Sequence, residues 1–138
     1  MVRIDRKVEI NAPVKKVFDI LDEAEKSPVW NITVNEVEII EPKKKGFVKT
    51  TVGDFTSTRS ETVENEKISY TLEGGVFNKM GYTVAPKGDG TEAMLWAEFD
   101  DESQEKILQK AGEVLLNCLK KYAEYLEAGG NPDEYKKK

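Results

Sequence analysis

Arg59 and Glu61 stand two positions apart in the run Thr56-Ser57-Thr58-Arg59-Ser60-Glu61-Thr62, and a strand over this run sets both on one face of a sheet. Turned inward, the guanidinium could anchor a carboxylate or enol oxygen of a ligand while the carboxylate moves a proton. Turned outward, the two form an exposed ion pair. Glu98 poses the same question in Met94-Leu95-Trp96-Ala97-Glu98-Phe99, where Met94, Trp96 and Glu98 share one face and Leu95, Ala97 and Phe99 the other. An inward Glu98 is a desolvated carboxylate with a raised pKa, able to shuttle protons; an outward one is surface charge. These carboxylates matter because the chain has no histidine, which leaves carboxylates, lysines and tyrosines for acid-base work near neutral pH.

Tyr70 and Tyr82 suit ligand contact better than catalysis, since each ring offers apolar area with one polar handle. Phe55, Tyr70, Leu72, Met80, Tyr82 and Val84 alternate with polar neighbours, as the inward faces of sheet strands do. Phe55, Arg59, Tyr70, Met80, Tyr82 and Trp96 are therefore the strand residues expected to touch a ligand. Ala111, Leu115, Cys118 and Tyr122 are the corresponding helix residues, with Ala111 and Cys118 small enough either to leave space beneath a sheet or to allow close packing. Cys118 itself reads as inert without a cation or helix N-terminus beside it.

The elements that must position these groups are well punctuated. Val8 and Ile10 alternate with charged neighbours as a strand, Pro13 opens a helix, and Val14, Val17, Phe18 and Leu21 form its apolar stripe. Asp22 to Ser27 reads as a second short helix closed by Pro28, followed by Trp30 and a strand over Val34 to Ile40. Beyond the Pro42 to Gly46 turn, strands are expected at Phe47 to Val52, Thr56 to Val63, Lys67 to Leu72, Phe77 to Ala85 and Thr91 to Phe99. The short glycine- and charge-rich separators favour consecutive antiparallel hairpins. A final helix from Ser103, as N-cap, to about Ala128 turns Ile107, Ala111, Val114, Leu115, Cys118, Leu119, Tyr122 and Leu126 to one side and stops at Gly129-Gly130.

Composition narrows the function. The chain has 138 residues and a net charge of −5, enough for one domain without a linker. The acidic balance argues against a nucleic-acid coat. One cysteine excludes an internal disulfide and, without histidine, the usual zinc ligand sets, so neither a metal nor another cofactor is expected. The charged N-terminus and the lack of a long apolar run predict a cytoplasmic protein with no transmembrane segment. Lys43-Lys44-Lys45 and Lys136-Lys137-Lys138 read as a solvated turn and a frayed tail over 131–138, or as contacts to an anionic partner or membrane surface. Asn31-Ile32-Thr33 matches a glycosylation sequon that a cytoplasmic chain leaves silent.

The phrase N-A-P-V-x-x-V-F-x-I-L at 11–21, followed by P-x-W and a strand, resembles the opening of the START-like superfamily (SRPBCC). That group includes the birch-pollen allergen fold, polyketide cyclases and dehydratases, and an accessory protein of carbon monoxide dehydrogenase. The resemblance implies an α+β helix-grip fold. Its parts are a seven-stranded curved antiparallel sheet around a long C-terminal helix, two short helices between the first two strands, and an apolar cavity. It further implies binding or carriage of a hydrophobic or aromatic small molecule, lipid- or polyketide-like. Two alternatives come with it. One is a cyclase or dehydratase using a buried carboxylate, with Glu98, Glu61 and Arg59 as candidates. The other is an interaction protein that docks on a partner enzyme or membrane, resembling the carbon monoxide dehydrogenase accessory protein.

Overall fold

The computed structural model describes residues 2–137. Strand β1 spans Val2–Ile10, followed by helix α1 (Val14–Asp22), a 3-10 turn (Ala24–Lys26) and α2 (Ser27–Trp30). Strands β2 (Val34–Glu41), β3 (Lys45–Thr50), β4 (Gly53–Val63), β5 (Lys67–Glu73), β6 (Phe77–Lys87) and β7 (Gly90–Phe99) then run as hairpins before the long helix α3 (Glu105–Glu127). The sheet has seven strands in the order β1-β7-β6-β5-β4-β3-β2, antiparallel throughout. The sheet wraps α3 as the helix-grip fold does.

Alternation fixes which side of each strand faces the helix. In β7, Thr91, Ala93, Leu95, Ala97 and Phe99 are buried while Glu92, Met94, Trp96 and Glu98 are only half-buried. Pairing carries this choice across the sheet, because residues directly opposite in an antiparallel ladder share a face. Leu95 stands opposite Tyr82, Tyr82 opposite Ile68 and Met80 opposite Tyr70, so all turn inward with it.

Helix α1 starts after Pro13 in extended backbone and buries Val17, Phe18, Ile20 and Leu21, matching the apolar stripe. Two boundaries and one helix face differ from expectation. Pro28 lies in the first turn of α2 instead of ending a helix; there its missing N–H costs nothing. Ser103 does not cap α3: the Asp101 carboxylate accepts bonds from the Ser103 N–H (3.0 Å) and hydroxyl (2.6 Å), capping the 3-10 turn Glu102–Gln104 ahead of the helix. The buried stripe of α3 is also rotated, running through Leu108, Gly112, Leu115, Leu116, Leu119, Tyr122 and Ala123, while Ile107 is 56% exposed. Gly112 sets that rotation. A Cβ placed there would come to 3.2 Å from Leu95 Cδ2, so the helix lies closest to the sheet along this side and Ala111, Val114 and Cys118 fall on the flank.

The tail is ordered as well. Gly129, at φ 95°, reverses the chain, and its N–H donates to Leu126 O (3.0 Å) while that of Gly130 donates to Tyr125 O (2.9 Å). The Tyr135 ring then packs 4.7 Å from Tyr122 and 4.9 Å from Tyr125, and Lys137 Nζ donates to Asn31 O (3.4 Å) and Val34 O (3.2 Å). Within the stretch expected as a tail, Tyr135 and Lys137 thus contact the domain, while residues 131–134 and Lys136 are exposed; Lys138 lies outside the described residues.

Candidate functional site

Between the concave sheet face and α3 lies a cavity of about 140 Å³. Phe55, Tyr70, Met80, Tyr82, Leu95 and Ala97 line it from the sheet, and Leu108, Ala111, Gly112 and Leu115 from α3. Leu21 and Trp30 close the side formed by α1 and α2. The cavity reaches the surface beside the hairpin of β2 and β3, where the exposed residues Ile39, Glu41, Lys43, Lys44 and Lys45 line it together with Glu25. Its walls belong to two packed clusters, one around α1 and the C-terminal half of α3, the other built on Ile4, Ala97, Phe99 and Leu108.

Arg59 turns into this space. It stands opposite Tyr70 across the ladder of β4 and β5, its guanidinium carbon 5.9 Å from the centre of that ring, and its side chain is only 9% exposed. Its Nη1 donates to Asp22 Oδ1 at 2.6 Å, and Nη2 donates to the Asp22 backbone carbonyl. Lys43, held at φ 61° in the hairpin turn, donates from Nζ to Asp22 Oδ2 at 2.7 Å. Burial alone would raise the Asp22 pKa, but the hydrogen bonds and charges of Lys43 and Arg59 outweigh it and hold the carboxyl below its usual range. This cluster ties the end of α1 to the turn between β2 and β3 and to the middle of β4.

Glu61 does not join Arg59. A β-bulge shifts the register between Arg59 and Glu61, so that Arg59 faces Tyr70 but Glu61 faces Ser69. One extra residue in a strand moves every later side chain to the other face, and Glu61 accordingly lies exposed beside Lys67, 3.0 Å away. Glu98 also lies outside the cavity, on the convex face, where Arg3 donates to it at 3.2 Å. Trp96 shares that face. The Arg3 guanidinium lies 4.8 Å above its ring, and Gly81 lies beneath it, where an added Cβ would come within 2.6 Å of the indole nitrogen.

The other sequence candidates divide cleanly. Phe55, Arg59, Tyr70, Met80, Tyr82, Ala111 and Leu115 line the cavity, whereas Trp96, Cys118 and Tyr122 do not. The rotation of α3 explains Cys118, and Tyr122 is occupied by Tyr135. Burial pushes the Tyr82 hydroxyl pKa well up; burial does the same to Tyr70, opposed in part by the Arg59 charge. Both rings keep their protons at neutral pH and can donate to an acceptor. Among the described residues, no group of three or more Asp, Glu or Cys side chains is gathered to hold a metal ion.

Sequence reasoning missed the wall contributed by residues between α1 and β3. Trp30 was legible only as part of a family phrase, and Lys43 to Lys45 as a solvated turn or a contact to an anionic partner or membrane surface. Asn31 had a readable signal of another kind: its Oδ1 accepts from the Thr33 N–H (2.9 Å) and hydroxyl (2.7 Å). The sequon pair is thus a buried structural turn at the cavity wall, with Asn31 inaccessible.

Residues 1–124 match the family model described as polyketide cyclase / dehydrase and lipid transport. The chain belongs to that family. Its fold is shared with XoxI from Bacillus cereus (TM-score 0.79, 13% identity, covering 92% of this chain and 99% of the other). It is similar in shape to the Zhui aromatase/cyclase from Streptomyces (TM-score 0.77, 16% identity, 94% and 99% covered). A START superfamily protein from Mycobacterium smegmatis aligns with TM-score 0.76 at 19% identity, covering 90% and 98%. At such identities the likeness establishes the START-like fold, while the family match supports a hydrophobic-ligand or cyclase-type role. No curated protein matches the sequence. No helix among the described residues is long and apolar enough to cross a membrane.

Proposed function

We propose that the protein binds and carries a hydrophobic or aromatic small molecule between the sheet and α3. The observation that carries this reading is the cavity itself: an unfilled space of about 140 Å³ whose walls are mostly aliphatic and aromatic, with Tyr70, Tyr82, Arg59, Ser57, Thr33 and Asn31 among its polar points. Binding sites of small molecules commonly have this form. A buried ring the size of an aromatic side chain removes roughly 150–250 Å² from water, which at about 25 cal/mol per Å² supplies about 4–6 kcal/mol. Hydrogen bonds from the tyrosine hydroxyls then orient the ligand, and the Arg59 cluster holds the nearby wall in place.

Carriage is favoured over catalysis by a cavity carboxylate, because Glu61 and Glu98 both lie outside the cavity and pair with cations there. Chemistry at this site would fall to Arg59 and the protonated tyrosines, which can polarise a carbonyl oxygen; the carboxylates that do line it, Glu25 and Glu41, stand exposed at its mouth. Two experiments test the reading. Native mass spectrometry with organic extraction should find a co-purifying apolar compound. A ¹H-¹⁵N NMR titration with toluene should give saturable shifts at Tyr70, Tyr82, Ala111 and Leu115; shifts that never saturate, or none, would refute it.

A further inference from the structure

Two stretches of chain face each other across the mouth of the cavity. The end of α1 and the 3-10 turn bring Leu21, Ala24 and Glu25 to one side of the opening, and the tip of the β2–β3 hairpin brings Glu41, Lys44 and Lys45 to the other. Asp22 belongs to the first stretch and Lys43 to the second, and the two are joined. Lys43 Nζ donates to Asp22 Oδ2 at 2.7 Å and to the Asp22 backbone carbonyl at 3.4 Å. Arg59 holds the other carboxylate oxygen, Oδ1, at 2.6 Å, so Asp22 is fixed from β4 and presents Oδ2 to the hairpin.

Lysine is a poor residue for the backbone it occupies. The Lys44 N–H donates to Glu41 O (3.0 Å), closing a tight turn whose central residues are Pro42 and Lys43. Pro42 suits the first central position. At Lys43, φ 61° is the left-handed region that such turns give to glycine or asparagine, because a Cβ crowds the backbone there. A strained residue persists where contacts outside the turn hold it. Here the outside contact is the side chain's bond to Asp22, which neither glycine nor asparagine is long enough to make.

The tip is lightly held apart from that bond. Strand β2 is the last of the sheet, and its register with β3 shifts between Ile39 and Glu41, just before the turn. The Arg59 N–H ties the turn to β4 by donating to Lys44 O (2.7 Å). The base of the hairpin is fixed separately, where the Thr51 N–H donates to Thr33 O (2.9 Å) and Lys137 donates to Val34 O (3.2 Å). A swing confined to the tip therefore breaks the ties to Asp22 and Arg59 and leaves the sheet paired.

Resting on the binding reading above, we infer that Lys43 and Asp22 form a clasp across the mouth, and that the hairpin tip swings out when the clasp parts, letting the ligand pass. The Lys43 and Asp22 side chains are already 54% and 26% exposed, so parting them wets no deeply buried charge and the mouth opens at small cost. The clasp closes over the empty and the filled cavity alike. It therefore sets the rates of entry and release together.

Amide hydrogen exchange and toluene exchange, measured on wild type, Lys43→Asn and Lys43→Arg, test this. Asparagine suits the left-handed backbone better than lysine but cannot reach Asp22, whereas arginine keeps charge and reach. In Lys43→Asn the Arg59 amide, whose acceptor is Lys44 O, should exchange about three- to tenfold faster relative to the amides of β6 and β7. NMR line shapes should show toluene entering and leaving faster by a similar factor, and Lys43→Arg should behave as wild type. Salt at about 1 M should speed both processes in wild type and leave Lys43→Asn unmoved. An Arg59 amide protected in Lys43→Asn as well as in wild type, or better, would mean that residue 43 serves the turn alone, and would overturn the clasp whether or not toluene binds. A faster amide with toluene exchange unchanged would overturn passage through this mouth and leave the binding reading intact. If wild type takes up no toluene, the binding reading falls and the passage with it, whatever the amide shows.

Discussion

Filling the cavity from the helix side separates an empty site from an ordinary core. Ala111 lines the space from α3, one position before the glycine that makes the closest approach to the sheet. Ala111→Leu adds three carbon atoms. If the volume of about 140 Å³ is empty as the structure has it, those carbons enter it without displacing neighbours, and at about 0.8 kcal/mol per buried methylene the variant gains up to ~2 kcal/mol. For a domain of this size that raises the melting temperature by roughly 4 °C per kcal/mol. The same leucine should compete with any ligand, weakening toluene binding by tenfold or more. In a tightly packed core the sign reverses, because overpacking costs about 1–3 kcal/mol. Calorimetric melting and the NMR titration, run on wild type and variant, read both quantities. A lower melting temperature with toluene binding unchanged would refute the reasoning, since it would mean that Ala111 touches packed side chains and that the ligand sits elsewhere.

Further expectations follow from the same geometry. Trp96→Phe should leave ligand affinity unchanged and make Trp30 the sole tryptophan, so that emission responding to toluene reports the cavity directly; a silent Trp30 would remove it from the wall. Glu61→Gln and Glu98→Gln should each change stability by no more than about 0.5 kcal/mol, as surface pairs do, and leave binding intact; loss of binding in either would return a carboxylate to the site. The Asp22 carboxyl is held below its ordinary value, so its stabilising effect is complete above the unfolded carboxylate value of about 3.9 and fades as pH falls through the folded value. Urea unfolding should therefore show Asp22→Asn about 2 kcal/mol less stable than wild type at pH 7, with the gap closing toward pH 3. Tyr135→Ala removes two ring contacts and should lower stability by about 1–3 kcal/mol; an unchanged melting temperature would mean that the tail does not pack.

Local pattern carried the sequence a long way toward the fold. Pro13 followed by apolar residues at helical spacing could only start a helix, and alternation through β5, β6 and β7 marked strands because a half-buried sheet enforces a period of two. What alternation leaves undecided is sign: Leu95 and Trp96 are both apolar, and only the approach of α3 along Gly112 determined that Leu95 faces the helix and Trp96 lies outside under Arg3. The separation of Arg59 from Glu61 depended on one unpaired residue in β4, a long-range matter of register that no spacing rule shows. Ala111 and Leu115 line the cavity, Leu115 from the buried stripe of α3 and Ala111 from its flank, whereas the equally small Cys118 does not, a difference set by the rotation of the helix. Trp30, Lys44 and Lys45 were not legible as cavity wall, because they meet it only after the β2–β3 hairpin has folded against α2 and the 3-10 turn before it. The sequence by itself thus determined the elements, their order and the apolar character of the interior. The tertiary structure decided which face became wall, which carboxylates were excluded and which cations came to the mouth, since those depend on register and on contacts between residues far apart in the chain.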